Sequence, residues 1–210
     1  MGMEAVAAPL FEIVPVKWEA PDPATVDAVI LTSANAPRDA GPQLAAFMHL
    51  PCYAVGEATG AAAKEAGFNE VQTGPNNGAA LIELLAEQGV QRALHLCGRD
   101  NHPIEHSDVT VTRRIVYAAE PVETLPPLAV EALAKNALAL LHSPRAAALF
   151  ARLVSDKARV RIAAISPAAL AAAGPGWRHT ASAAEPRDEA LLELASKLCN
   201  TKPREMGNGG

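Results

Sequence analysis

Reactive side chains are sparse in this chain, and their densest group is HLCGRDNHPIEH, which carries His95, Cys97, His102 and His106. Imidazole and thiolate together can hold zinc. The spacing matches no standard finger, so solvated histidines on a loop are the plainer reading and no metal is expected. The other polar groups that fall where ligands are held are small: Thr32, Ser33 and Asn35, Gly56 and Thr59, Gly98, Ser143, and Ser166. Each lies just past a short apolar run, and in a parallel sheet ligands sit beyond the carboxyl ends of the strands. These residues are therefore the expected substrate-binding set. They offer hydroxyls, an amide and main-chain N–H groups at helix starts, which is chemistry for holding anions and not for breaking bonds. Capping is the other reading of Ser33, Asn35 and Ser143, and a cap site can also be an anion site. Gly56 and Gly98 also read as simple turn glycines.

Those positions need strands and helices to present them. Val26–Leu31 (VDAVIL) is a nearly continuous apolar run, the pattern of a strand buried on both faces. A helix is expected from there through GPQLAAFMHL, stopping before Pro51. Cys52–Val55 is the next strand, and EATGAAAKEAG is a helix with Gly67 as its stop. A brief strand near Val71, the helix GAALIELLAEQG and the strand Arg92–Leu96 follow. Val109–Val116 alternates with period two and reads as an edge or a connector. The alternation resumes with a helix at Pro127–Lys135, a strand at Ala137–Leu141, and Ser143-Pro144 as N-cap and first helical residue. Arg159–Ile165 is a strand, SPAALAAAG a short helix and PRDEALLELASKLCN the last helix. Alternation of this kind implies parallel sheets with helices on their faces, an α/β fold. The proline-bearing KWEAPDPATVD, Lys17–Asp27, reads as a linker, and 201–210 as a disordered tail.

The unit repeats. Ser33 and Ser143 are 110 residues apart, and so are Gly56 and Ser166. Two landmarks with one offset point to a duplicated βαβα block.

Composition bounds the rest. With 210 residues, 50% hydrophobic and 20% charged, a packed globular protein is expected. A net charge of −5 argues against nucleic acid as the main partner. Cys52, Cys97 and Cys199 form no CxxC pair, which disfavours a disulfide framework and suits a reducing cytoplasm. The N-terminus lacks a basic stretch and resembles no signal peptide, and no run suits a membrane span.

Taken in order, LTSANA (Leu31–Ala36), YAVGEATGAAAKEAGF (Tyr53–Phe68), LHLCGRD (Leu94–Asp100), IVY (Ile115–Tyr117), HSPRAAALF (His142–Phe150), AAIS (Ala163–Ser166), GW (Gly176–Trp177) and AAEPRDEALLEL (Ala183–Leu194) resemble the uroporphyrinogen-III synthase family across nearly the whole chain. The resemblance implies two flavodoxin-like parallel-sheet lobes joined by a two-stranded connector. Residues 1–16 and 119–200 would form the first lobe and 22–115 the second. The family normally carries an RP strand and a first helix ahead of the segment that begins here at Met1. The resemblance thus implies a first lobe lacking its first strand–helix unit, with EAVAAPL either leaving ladders unpaired or pairing directly with Ala137–Leu141. The chain start would then lie further upstream, or the form would be impaired.

The activity implied is cyclisation of hydroxymethylbilane to uroporphyrinogen III with inversion of ring D, a lyase reaction of tetrapyrrole and haem biosynthesis. It implies no cofactor, a linear tetrapyrrole as the only partner, and a cytoplasmic monomer. Tyr117 matches the tyrosine of the family's vY segment and is the catalytic candidate, since a phenol keeps its proton at neutral pH. Packing of its ring in the connector is the other reading. Arg99, Arg113, Arg114 and Arg145 would meet substrate carboxylates, although of the adjacent pair Arg113 and Arg114 at most one can face the cleft. Thr59 matches a family threonine whose second-copy counterpart is Ala169 here. That substitution and the missing strand motivate the alternative, a non-catalytic two-lobed module binding a small anionic ligand.

Overall fold

The computed structural model describes residues 4–74 and 77–200. The chain divides into a continuous unit, Glu12–Glu120, and a split unit made of Met1–Phe11 with Pro121–Gly210. Each is an α/β body.

In the continuous unit the apolar runs become strands as their composition requires. β1 is Phe11–Pro15, β2 Ala28–Leu31, β3 Cys52–Val55, β4 Val71–Gly74, β5 Arg92–Gly98 and β6 Thr110–Pro121. The sheet order is β1-β6-β5-β2-β3-β4. All pairings from β6 across to β4 are parallel. β1 runs antiparallel to β6, because the partner of Leu10 is Val122 while that of Val16 is Val116. Numbered from β2, the parallel strands stand in the order 3-2-1-4-5. That differs from the flavodoxin order 2-1-3-4-5 implied by the resemblance. The order reverses at β2, with β3 on one side and β5 on the other.

β2 explains its own sequence. Val29 and Leu31 face a core that includes Leu94, Leu96, Phe47 and Ala63. Ala28 and Ile30 face Leu81, Ile82 and Leu85 on the other side. With both faces covered, no polar residue is tolerated, hence AVIL. The helices are α1 (Asn35–Asp39), α2 (Glu57–Ala66) and α3 (Gly78–Glu87). The single helix expected through residue 50 does not form. Gly41 takes φ 69°, and the chain continues as a 3-10 segment, Pro42–Phe47. α2 ends at Gly67 in the left-handed region, as its sequence predicts.

The stretch read as a linker is part of the core. Trp18 is buried, its Nε1 donates to the Ala40 carbonyl at 2.7 Å, and its own carbonyl accepts from Gln43 at 2.8 Å. Pro23–Thr25 makes a 3-10 turn capped by Asp22. Proline content signalled rigidity here, not freedom.

The split unit carries α4 (Pro127–Ala134), β7 (Leu138–Leu141), α5 (Pro144–Leu153), β8 (Arg161–Ala164), α6 (Pro167–Ala173), β9 (His179–Ser182) and α7 (Asp188–Asn200). Its sheet is three-stranded and parallel, in the order β7-β8-β9. Leu141, Ile162 and Ala164 pack with α5 and α6. Leu138, Leu140 and Ala163 pack with α7 through Leu191. β9 reads HTAS, with two exposed residues, and gives no apolar signal as a strand. Residues 4–10 form no strand, so EAVAAPL does not pair with β7, which stands at the edge of its sheet. The expected disorder of 201–210 lies outside the described residues.

The duplication holds in three dimensions. β2 and β7 are offset by 110, and so are the starts of α2 and α6 and of α3 and α7. The facing of side chains repeats too, with Ile30 and Leu140 turned toward α3 and α7 respectively.

Candidate functional site

Of the expected binding residues, Thr32, Ser33, Gly56, Gly98, Ser143 and Ser166 lie at or just past the carboxyl ends of strands, whereas Asn35 opens α1 and Thr59 lies within α2. In the continuous unit they form a row, because β6, β5, β2 and β3 are successive neighbours. Tyr117 stands on β6, Gly98 ends β5, Thr32 follows β2, and Gly56 follows β3. Thr32 and Gly98 flank the point where strand order reverses, the crevice that parallel α/β sheets use for ligands.

Gly98 and Tyr117 are matched. The register of β5 and β6 shifts between Cys97 and Gly98 and sets Gly98 opposite Tyr117. A Cβ built on Gly98 would come within 2.6 Å of Tyr117 Cζ and 2.8 Å of its Oη. The tyrosine ring thus occupies the space that any side chain at 98 would need. Gly98 is a glycine because of a close ring, and not for a turn. The Arg99 N–H donates to the Tyr117 carbonyl at 3.0 Å, which holds this end of the ladder closed.

Thr32 Oγ1 lies 3.1 Å from His95 Nε2. His95 is 1% exposed and sits within β5, not on a loop. Burial, with Arg113 nearby, pulls its pKa down to about 4, so the ring is neutral at physiological pH. The sequence placed RALHL in a strand but left its histidine among loop histidines. The flanking leucines were the signal that it is interior.

The helices after the first two strands of the block start differently in the two units. Gly56 opens α2 with φ 75° and ψ 156°, a conformation that favours glycine, and provides no side-chain cap. Ser33 Oγ accepts from the Asn35 N–H at 3.2 Å, a turn inside the loop, and α1 has no side-chain cap bond. In the split unit Ser143 Oγ accepts from the Ala146 N–H at 3.1 Å, and Ser166 Oγ from the Ala169 N–H at 3.2 Å. These serines spend their hydroxyl oxygens on their own helices. Thr59 in α2 and Ala169 in α6 are both buried.

The arginines separate. Arg99 pairs with Glu120. Arg114 Nε donates to the Glu19 carbonyl at 2.9 Å. Arg145 lies 4.3 Å from the centre of the Phe11 ring. Arg113 is the register partner of His95 and shares its face of the sheet. The histidine loop does not gather. His106 faces Glu83 at 3.2 Å, and Cys97 Sγ lies 3.5 Å from the Arg114 carbonyl. Among the described residues no three His, Cys, Asp or Glu side chains are placed to hold a metal ion. Burial pushes the Cys52 thiol up to about 12 and raises that of Cys97, so neither is a thiolate nucleophile. No helix among the described residues is long and apolar enough to cross a membrane.

A comparison with curated proteins finds no match. Among solved structures, the chain is similar to uroporphyrinogen-III synthetase from Helicobacter pylori, with a TM-score of 0.62 and 20% identity over 90% of this chain and 91% of that one. It is also similar to a mutant uroporphyrinogen III synthase from Thermus thermophilus, with a TM-score of 0.47 and 17% identity over 92% of this chain and 88% of that one. The family model described as Uroporphyrinogen-III synthase HemD matches residues 1–193. On that match the chain belongs to the uroporphyrinogen-III synthase family, whose work is in porphyrin and haem biosynthesis.

Proposed function

We propose that this protein cyclises hydroxymethylbilane to uroporphyrinogen III, a linear tetrapyrrole closed with inversion of its last ring, without a cofactor. In net terms a C–O bond breaks and water leaves, and the freed methylene bonds to the substituted α-carbon of the last ring. The C–C bond from that carbon to its own bridging methylene breaks and re-forms at the ring's other α-carbon, and the proton of that second carbon is released. The electron-rich pyrroles supply the electrons for each step. The protein then has three tasks: to hold the carboxylates, to hand a proton to the departing hydroxyl, and to keep the chain folded for closure.

The observation that carries this reading is the row of strand ends in the continuous unit, together with the family match over 1–193. The first-turn N–H groups of α2, uncapped by any side chain, suit a carboxylate. Thr32, Ser33 and Asn35 lie one strand away, and Tyr117 lies beside Gly98 with a phenol to donate. Ser143 and Ser166 contribute main-chain geometry in this reading, since their hydroxyl oxygens already cap helices. In this reading the protein acts as a soluble cytoplasmic monomer.

The test is product identity. Purified protein is incubated with freshly generated hydroxymethylbilane and the uroporphyrinogen isomers are resolved. The type III isomer is expected. Formation of the uninverted type I isomer alone, the outcome without enzyme, would overturn the proposal.

A further inference from the structure

A second concavity lies within the continuous unit, on the sheet face covered by α3. It measures about 330 Å³ and is lined by His95, Val109, Val111 and Arg113 from the sheet side and by Pro103–His106 from the loop. The loop is pinned to α3 at two places. Ile104 packs so closely over Gly78 that a Cβ there would come within 2.9 Å of Ile104 Cδ1. Five residues after Gly78 in that helix, Glu83 meets His106 at 3.2 Å. The walls are therefore fixed by a strand pair and a clamped loop, and the size suits a small ligand.

The lining has a definite chemistry. Pro103 and Ile104 from the loop and Val109 and Val111 from the sheet side are apolar. His95 at the base is neutral and already bonded to Thr32. Arg113 is the cation. Arg38, Arg92, Arg99, Arg159 and Arg187 each pair with a carboxylate, whereas among the described residues no ion pair takes Arg113, whose guanidinium hydrogen-bonds only to the neutral Cys97 thiol on the same face. Glu105 also lines the opening without pairing to it, and its charge opposes a ligand with a second anionic group.

We propose that this pocket binds a small monocarboxylate with an apolar body, its carboxylate held by the Arg113 guanidinium and its hydrocarbon laid against Ile104, Val109 and Val111. A guanidinium matches a carboxylate in two parallel hydrogen bonds, and the aliphatic wall rewards a branched chain over a second charge. The site adjoins the row of strand ends through the His95–Thr32 contact but does not rest on the cyclisation reading.

The test is an NMR titration of the full chain with isovalerate, and in parallel with isovaleramide and glutarate. Isovalerate is expected to shift the backbone amides of His95, Ile104–His106 and Val109–Arg113 saturably at millimolar concentrations. Isovaleramide, which lacks the charge, and glutarate, which adds one, should bind at least roughly tenfold more weakly. Arg113→Gln should weaken isovalerate binding by about the same factor. Arg113 is exposed, so this variant should keep the wild-type fold; if it does not, the acid-to-amide comparison on the wild type decides alone. Equal affinity for acid and amide, an unchanged affinity in Arg113→Gln, or no saturable shifts at these amides would each overturn the proposal. Because no tetrapyrrole is used, failure here leaves the cyclisation test intact.

Discussion

The two units are one βαβαβα block used twice, and they differ in what stands beside the first strand of the block. β2 has β3 on one side and β5 on the other, and all four of its residues are buried. β7, its counterpart 110 residues later, has β8 alone as a strand neighbour among the described residues, and three of its four residues are half-buried. The sequences AVIL and LALL are equally apolar. A strand's burial is thus set by its neighbours as much as by its composition. The functional consequence is larger than the structural one. A crevice at reversed strand order needs strands on both sides, and within the described residues only the continuous unit has them. The equivalent helices α2 and α6 also differ at their starts, open at Gly56 and serine-capped at Ser166.

The comparison can be broken most directly at equivalent core positions. Ile30→Ala should lower the unfolding free energy by about 2–5 kcal/mol, and Leu140→Ala by less than half of that. Denaturant titrations of both variants check this, and equal losses would mean that β7 is as enclosed as β2.

Acid should act on the continuous unit through β5. His95 has a folded pKa of about 4 against an ordinary 6.5, so the unfolded chain binds its proton first as pH falls. The contribution is full above pH 6.5, is lost progressively down to about pH 4, and amounts to roughly 3 kcal/mol. Asp27 acts with the same sign at lower pH, since its hydrogen bonds from Arg92 hold its carboxyl below the usual range. Stability measured from pH 7 to 4 should fall less steeply in His95→Gln than in the wild type, and parallel curves would refute the assignment.

Tyr117→Phe should slow formation of the type III isomer by about 100-fold while leaving the thermal midpoint unchanged. Wild-type turnover would remove the proton-donor role. Gly98→Ala, which forces the ring aside, should cost roughly 1–3 kcal/mol and slow the reaction as well. The smallest effects belong to the split unit. Ser143→Ala and Ser166→Ala should each cost about 1 kcal/mol of stability with little change in rate. A fall in rate without a fall in stability would return those hydroxyls to the substrate.

Much of the fold was legible because its signals are local. Gly67 stops α2 and Ser143-Pro144 starts α5, as their backbone preferences demand. Cys52–Val55 was readable as a strand for its apolar run between breakers. What misled was equally physical. β9 is polar because it is half exposed, so nothing marks HTAS as a strand. Gly41 breaks a helix whose side chains would have tolerated one, and Trp18 gives a supposed linker a place in the core. The candidate residues were legible as residues following strands. Their grouping was not, because it depends on sheet order.

By itself the sequence determined the alternation of strands and helices, the duplicated block and the family, since each rests on local periodicity or on ordered short motifs. Only the tertiary structure decided that β3 and β5 flank β2, that His95 is interior and bonded to Thr32, and that Gly98 makes room for Tyr117. Strand order is a contact between segments far apart in the chain. It is settled by which apolar faces can be covered together, a quantity that no single stretch of residues contains.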